Sequence, residues 1–255
     1  NIPIAETYTV AVYVAGRHIG GSDAAKTFTI VANDPDARTT TATGVGLQTA
    51  SAGTEARFSI VASDRYGNVL TSAAASTPTV EVAVTARGGD GACGTVSLVT
   101  PAPAVEWNSN LNRYDVAYTP TVSGPSSVRV KLDTGDSVRD SPFAGVVTPG
   151  DAHAGMSTVT GSGVHGAVVN NAGKITIQAR DANGNEKTTG GDPFRAYVVD
   201  ADGALASPTV TITDNDDGTY SAAWTPSVAG TAYELNVILK GGAVGQSPYR
   251  GVKAV

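Results

Sequence analysis

Cysteine and charge are scarce in this chain of 255 residues, and each shortage excludes a class of protein. Cys93 is the one cysteine, so no disulfide can form within the sequence and stability has to come from packing and hydrogen bonds. Charged residues make up only 16%, and Lys and Arg form no basic stripe. With a net charge of −6, nucleic acid is not expected as a partner, since its phosphates attract clustered cations.

Long apolar runs are also absent. No stretch approaches the roughly 18 consecutive apolar residues of a membrane span, and the first residues lack a charged region followed by an apolar one. We therefore expect a soluble segment with no direct membrane insertion. The glycosylation signal Asn-x-Ser/Thr is missing too. Its absence favours a cytoplasmic location, with an extracellular or cell-surface location as the alternative.

The residues that are abundant suit strands and turns. Gly accounts for 30 residues, and Ala, Val and Thr are frequent, whereas Met occurs once and Phe four times. Apolar and polar residues alternate along runs such as 80–84, 220–224 and 235–239, which is typical of strands with one buried face. Turn pairs such as Gly184-Asn185 and Asp217-Gly218 separate these runs. The pattern predicts an all-β fold of tandem immunoglobulin-like antiparallel β-sandwiches, with about seven strands each.

Two copies of one ordered set of motifs divide the chain. The motif Asp64-Arg65-Tyr66-Gly67-Asn68 returns as Asp181-Ala182-Asn183-Gly184-Asn185, a shift of 117 residues. Further along the shift is 106 residues, for Tyr118-Thr119-Pro120 with Trp224-Thr225-Pro226 and for Ser141-Pro142-Phe143 with Ser247-Pro248-Tyr249. We therefore predict two domains, residues 36–148 and 149–255, with an insertion in the first that falls mainly in residues 86–108.

Residues 1–35 carry part of a third copy. The pattern Gly16-x-x-Ile19-x-x-Ser22 recurs near the end of both domains, as Gly135-x-x-Val138-x-x-Ser141 and Gly241-x-x-Val244-x-x-Ser247. We therefore expect this segment to supply the last two strands of a preceding repeat. Its alternating apolar residues would then need a cover from elsewhere: Val10, Val12, Val14, Phe28 and Ile30.

Taken together, the motifs of the second unit resemble the filamin-type immunoglobulin repeat. In family order they are Ala172-Gly173, the motif at 181–185, Gly190-Gly191-Asp192-Pro193-Phe194, Asp214-Asn215-Asp216-Asp217-Gly218-Thr219-Tyr220, Trp224-Thr225-Pro226, Gly230 and Ser247-Pro248-Tyr249. The first unit keeps most of them. It departs at Ser76-Thr77-Pro78-Thr79-Val80, where the Gly-Gly pair is missing, and at Ser109-Asn110-Leu111-Asn112-Arg113, which replaces the Asp-Gly turn.

The resemblance implies a rod-like array that spaces other modules and binds partner segments in a groove beside strands C and D. In the second unit we expect strand C near residues 194–199 and strand D near 207–213, joined by the turn at 200–203. An edge strand can accept an extended peptide as an added strand. The predicted partner-binding residues are Phe194, Arg195, Ala196, Tyr197, Val198, Val199, Pro208, Val210 and Ile212.

The first unit is expected to bind partners less well. Its long insertion, at the C–D or D–E connection, has Gly-rich and Pro-rich halves that could fold over the same groove and block it. Cys93 lies in this tract and is interpreted as an ordinary free thiol, because no neighbouring Lys, His or helix start would lower its pKa.

Other patterns that can indicate chemistry have simpler explanations here. Gly161-Ser162-Gly163-Val164-His165-Gly166 fits the dinucleotide pattern G-x-G-x-x-G but lacks the strand and helix around it, so we interpret it as a glycine-broken first strand. The acidic run at 214–217 lacks the EF-hand spacing and fits a tight turn, the role that Asp64 and Asp181 are also expected to play. The histidines, at positions 18, 153 and 165, show no metal-binding spacing.

The sequence therefore predicts a scaffold and spacer that is not an enzyme and that has no cofactor, metal site or catalytic residues. Its expected partners are other proteins, bound through extended peptide segments, and the neighbouring repeats of the same chain. The resemblance extends the prediction to cytoskeletal cross-linking, although nothing in the sequence resembles an actin-binding helical domain. The alternative is a cell-surface adhesion or glycan-binding module built of the same repeats, because the fold alone does not choose between these functions.

Overall fold

The computed structural model describes residues 4–19, 25–87, 93–200, 202–204, 210–230 and 232–254. In these ranges regular structure is almost all β-strand, and the helices are single 3-10 turns at Val45–Leu47 and Ser162–Val164. None of the helices in the described ranges is long and apolar enough to cross a membrane. The prediction of an all-β, immunoglobulin-like fold is confirmed.

The N-terminal segment forms two short antiparallel pairs. Strand β1 (Thr7–Val10) pairs with β4 (Lys26–Thr29), and β2 (Tyr13–Val14) pairs with β3 (Arg17–His18). Apolar side chains of this segment are largely exposed, as the sequence pattern led us to expect: Val10, Val12, Val14 and Phe28. Its assignment to a preceding repeat stays a prediction.

The first sandwich consists of two facing sheets, which are antiparallel except for one parallel pair at an edge of the second sheet. The sheet orders are β10-β11-β7-β5 and β6-β13-β12-β8-β9, in which β6 and β13 run parallel. The strands are β5 (Thr41–Thr43), β6 (Thr49–Ser51), β7 (Ala56–Val61), β8 (Thr79–Arg87), β9 (Cys93–Leu98), β10 (Ala104–Asn108), β11 (Arg113–Tyr118), β12 (Gly124–Lys131) and β13 (Phe143–Thr148).

The second sandwich repeats this arrangement, but its described residues include no strand that corresponds to β9. Its sheet orders are β14-β16-β19-β18 and β15-β22-β20-β17, with β21 paired to β20. The strands are β14 (Thr158–Thr160), β15 (Gly166–Ala167), β16 (Gly173–Gln178), β17 (Phe194–Val199), β18 (Thr211–Asp214), β19 (Thr219–Trp224), β20 (Ala232–Leu239), β21 (Gly242–Ala243) and β22 (Tyr249–Ala254).

Each sandwich encloses its own core. The buried apolar residues form one cluster from Leu47 to Val147 and a second from Ala152 to Val252. The alternating runs of the sequence supply the cores, because period-two alternation turns every other side chain of a strand inward. The largest fully buried side chains include Tyr114 and Tyr220, one from each sandwich.

The glycine-rich motif at 161–166 carries the first strand of the second sandwich from one sheet to the other. Strand β14 precedes it, a single 3-10 turn lies within it, and strand β15 follows it, so the helix that a dinucleotide site requires is absent. A Cβ on Gly163 would lie 2.8 Å from the carbonyl oxygen of Gly173. The Trp224 indole donates a hydrogen bond to the Gly163 carbonyl at 3.0 Å, and the Tyr118 hydroxyl contacts Gly46 in the same way. The interpretation as a broken first strand is confirmed.

Candidate functional site

Strand β17 lies at the edge of its sheet. It pairs with β20 along its whole length, from Phe194 opposite Leu239 to Val199 opposite Glu234. Its bounds are those predicted for strand C. Strand β18, on the far side of the core, is the edge strand of the facing sheet and starts at Thr211, whereas the sequence placed the start of strand D near residue 207. Strands β17 and β18 are therefore edge strands of facing sheets, and the predicted groove would lie between them.

The chain that leads into β17 is held by Tyr220, whose ring packs 4.7 Å from that of Phe194. Its hydroxyl accepts a hydrogen bond from the Asp192 amide at 2.8 Å and donates one to the Asp192 carboxylate at 3.0 Å. Burial raises the pKa of Tyr220 to about 12, and the Asp192 carboxylate also favours the neutral phenol. Lys187 pairs with Asp192 at 3.8 Å. The hydroxyl is therefore a fixed anchor at the start of β17.

The Gly190-Gly191 pair lets this segment approach Asp214 at the end of β18. A Cβ on Gly190 would lie 2.2 Å from the Asp214 carboxylate, so any side chain there would clash. The Gly191 amide donates to the same carboxylate at 2.7 Å, and the Asp216 amide does so at 2.9 Å. Asp214 thus holds a tight turn, as predicted, and also ties the segment before β17 to the end of β18.

A tight turn follows the other end of β17. The Asp200 amide donates to the Ala204 carbonyl at 3.0 Å, and the Asp200 side chain accepts from the Asp202 and Ala204 amides at 3.1 and 2.9 Å. The sequence predicted this turn from the same residues, because an Asp side chain can bond the backbone amides that follow it.

The predicted partner-binding residues fall into different environments. Phe194, Ala196, Val198 and Val210 are buried in the core, so only their backbone is open to a partner. Arg195 and Tyr197 point outward, and the Tyr197 side chain is 38% exposed. Val199 and Ile212 are half-buried, and Pro208 lies outside the described residues. The side chains that could contact a bound peptide are those of Arg195, Tyr197 and Val199, whereas Ile212 packs against the core.

The edge of β17 is not entirely unpaired. Ala196 forms an isolated bridge with Val210, just before β18 begins. Sequence reasoning assumed that this edge was open along its length. Because Val210 is a core residue, displacing it would expose apolar surface, so the accessible ladder positions lie on either side of Ala196.

In the first sandwich the corresponding edge carries an additional strand. The predicted insertion at 86–108 contains the end of β8, strand β9 and all of β10. Strand β9 runs antiparallel to β8, with Ala83 opposite Leu98 and Arg87 opposite Cys93, and the Val99 amide donates to the Val82 carbonyl at 2.9 Å. The insertion therefore pairs with residues 82–87 of strand C, but residues 79–81 have no partner in this ladder.

The other candidates do not assemble into a site. Within the described ranges, no group of three His, Cys, Asp or Glu residues is arranged to hold a metal ion. His153 lies in the turn before β14, where its carbonyl accepts bonds from the Met156 and Ser157 amides. Cys93 begins β9, and its side chain is outside the described residues.

Sequence reasoning missed one role of the two Asp-x-x-Gly-Asn motifs. The predicted local turns are present, with Asp64 and Asp181 accepting hydrogen bonds from the backbone amides that follow them. In addition, Asn185 contacts Ser123 of the preceding repeat, and Asn68 contacts Ala5 of the N-terminal segment. The signal that could have revealed this contact is that the motif occurs at the same place in both copies of the repeat.

Comparisons with known proteins agree with this architecture. The family model for the Filamin/ABP280 repeat matches residues 34–144 and 151–250. Filamin-C of Rattus norvegicus is 28% identical over 245 residues, which cover 95% of this chain and 8% of filamin-C, so this chain spans only a small part of that relative. The Escherichia coli adhesin FdeC has a TM-score of 0.60 at 19% identity, covering 98% of this chain and 74% of FdeC. Invasin, a bacterial integrin-binding protein, has a TM-score of 0.54 at 16% identity, covering 98% and 46%.

Proposed function

Because the chain belongs to the filamin/ABP280 repeat family, we propose that it is a non-catalytic scaffold and spacer whose second repeat binds extended segments of partner proteins. The peptide would add as a strand to β17. The observation that carries the proposal is the position of β17, a six-residue strand at the edge of its sheet with a ladder partner, β20, on one side. An edge strand of this kind offers backbone amides and carbonyls to a second chain.

The exposed side chains of the edge give the added strand its specificity. Arg195, Tyr197 and Val199 stand on the outer face of β17, whereas Ile212 of β18 packs against the core. In strand addition the main chain supplies affinity and alternate side chains of the peptide enter pockets. We place the peptide along residues 197–199, beyond the bridge at Ala196. A partner with alternating apolar residues would pack one face on Tyr197 and Val199, which lie on the same face of β17.

The first repeat is the weaker binder in this proposal. Its own strand β9 takes the ladder positions along residues 82–87 that an added peptide would use. On this side of strand β8 only residues 79–81 lie outside the ladder with β9, so most of the edge is already occupied. The insertion supports a division of labour in which the first repeat acts as a spacer and the second as the binder.

To test the proposal, the affinity of the chain for a peptide rich in Val, Ile and Thr at alternate positions would be measured by calorimetry. The variant Tyr197→Ala is expected to weaken binding about tenfold, because exposed aromatic residues contribute strongly at interfaces. The matched control is Glu81→Ala, since Glu81 is exposed and pairs with Arg129 at the position where Tyr197 pairs with Asn236. If the Tyr197→Ala and Glu81→Ala variants bound the peptide with equal affinity, β17 would not be the binding strand.

Adhesion at a cell surface is the second candidate function. It is supported by the likeness in fold to the adhesin FdeC and to invasin, which covers 98% of this chain in both cases. An adhesion module would bind a cell-surface receptor or a glycan with Tyr197 and β17 playing no part. Binding to cells that persists in the Tyr197→Ala variant would favour this second candidate over peptide addition.

A further inference from the structure

Two loops with the same sequence pattern lie where one repeat meets the next. We call residues 64–68 and 181–185 the docking loops. In each loop the first carboxylate oxygen of the Asp accepts two backbone hydrogen bonds, from Tyr66 and Asn68 to Asp64 at 2.9 and 3.0 Å, and from Asn183 and Asn185 to Asp181 at 2.9 Å each. Both aspartates are buried, which fixes the loop as a rigid unit.

The second carboxylate oxygen of each Asp holds the linker that enters the repeat. The Gly150 amide donates to Asp181 at 2.8 Å, and the Asn33 amide donates to Asp64 at 3.2 Å. The same oxygen also accepts from the Asn carboxamide of its own loop, at 2.8 Å in both cases. One aspartate therefore connects the loop, the linker and the asparagine.

The asparagine of each docking loop reaches the preceding repeat. The Ser123 amide donates to the Asn185 carboxamide oxygen at 2.9 Å, and the Asn185 amide group donates to the Thr121 carbonyl at 2.8 Å. At the other joint the Ala5 amide donates to the Asn68 oxygen, also at 2.9 Å. Ser123 lies just before β12 and Ala5 just before β1, so the two contacts are made at equivalent places.

A cleft of about 780 Å³ lies between the two complete repeats, lined on one side by Val147 and Thr148 and on the other by Arg180 and Glu186. Ser123 and Asn185 also line this cleft, so the docking contact lies at its edge. The docking loop and the linker therefore connect the repeats beside an open space. Loss of the Asn contact would leave the linker as a hinge.

We propose that the Asp-x-x-Gly-Asn loop is a repeat-docking element. It binds the residues just before strand β12 of the preceding repeat and so fixes the angle between the two adjacent repeats. The loop recognises backbone amide and carbonyl groups, so its partner is any repeat that presents such groups, whatever its side chains. The N-terminal segment meets the first repeat through the same oxygen of Asn68, so the same element is used at both places.

The test uses the full chain, with residual dipolar couplings and amide exchange measured by NMR. In the natural sequence, residues 36–148 and 151–250 are expected to share one alignment tensor. The variant Asn185→Ala is expected to need two different tensors and to speed exchange of the Ser123 amide about tenfold, as the loss of a typical hydrogen bond would. Asn215→Ala is the control, because the Asn215 side chain bonds only Thr219 and Ser221 of its own repeat.

Several results would overturn the proposal. Two tensors in the natural chain would show that no joint is fixed, independently of any variant. A single tensor and unchanged Ser123 exchange in Asn185→Ala would show that the carboxamide does not dock the repeats. Unfolding of the second repeat in that variant, or the same effect from Asn215→Ala, would assign the asparagine to internal stability alone.

Discussion

The hydroxyl of Tyr220 lies 2.8 Å from the amide nitrogen of Asp192 and 3.0 Å from its carboxylate. The tyrosine sits on β19 and the aspartate lies just before β17, so this pair joins the two sheets where strand C begins. In the first repeat Tyr114 accepts a hydrogen bond from the Ala74 amide at 2.8 Å, with no carboxylate in the pair. Both repeats therefore use a buried tyrosine hydroxyl to hold the chain before strand C, but the hydroxyl of Tyr220 makes two hydrogen bonds where that of Tyr114 makes one.

Removing the Tyr220 hydroxyl is expected to destabilise the second repeat. We expect Tyr220→Phe to lower the free energy of unfolding by about 1 kcal/mol, because a buried amide loses its acceptor. Urea unfolding followed by Trp224 fluorescence in a Trp107→Phe background would report on this repeat alone. The control is Tyr114→Phe, followed by Trp107 fluorescence in a Trp224→Phe background. If Tyr114→Phe lowered the free energy of unfolding more than Tyr220→Phe, the hydrogen bonds to Asp192 would not be the stronger of the two.

Tyr220 also sets an alkaline limit to stability. The folded-state pKa, about 12, is above the ordinary value of about 10, so the folded state holds the phenolic proton more tightly. The contribution of Tyr220 to stability is full below pH 10 and is lost as the pH rises through 12. The difference in ultraviolet absorbance between the natural chain and Tyr220→Phe during an alkaline titration measures this pKa. An ionisation at pH 10 would mean that the hydroxyl is not held as described.

At acidic pH Asp64 is one of the carboxyl groups whose protonation affects stability. Burial alone would raise its pKa, but hydrogen bonds from Asn68, Tyr66 and Asn33 outweigh that effect and hold the pKa below its ordinary value. Its contribution to stability is therefore present above about pH 4 and is lost as the pH falls through the folded-state pKa. We expect the free energy of unfolding of the first repeat to fall more steeply below pH 4 in the natural chain than in Asp64→Asn. Parallel acid profiles would show that Asp64 does not contribute.

Trp224 ties the core of the second repeat to its broken first strand. It is buried, packs 5.5 Å from the Tyr233 ring and donates to Gly163. Trp224→Ala is expected to cost about 3–5 kcal/mol, since it leaves a cavity and an unpaired carbonyl. Trp107→Ala should cost less, because Trp107 is only half-buried. Thermal unfolding by calorimetry would compare the two, and an equal cost would place Trp224 outside the core.

The sequence predicted where the strands lie better than it predicted which segments they pair with. Alternation at 194–199 locates β17, and the Asp200 turn locates its end, because both are local patterns. Three features are non-local and were not predicted: the bridge between Ala196 and Val210, the register of β9 on β8, and the contact of Asn185 with Ser123. The first two pair backbone groups of separate segments, and the third joins the Asn185 side chain to another repeat, so neither composition nor the period of the apolar residues predicts them.

Peptide titration of the natural chain, labelled with nitrogen-15, tests the central claim most directly. An alternating Val, Ile and Thr peptide would be added while the backbone amides of both edge strands are followed. Strand addition to the second repeat predicts shifts and slowed amide exchange in residues 195–199, with residues 79–87 unchanged. Shifts confined to the β8 edge, or peptide binding that leaves residues 195–199 unaffected, would contradict the account.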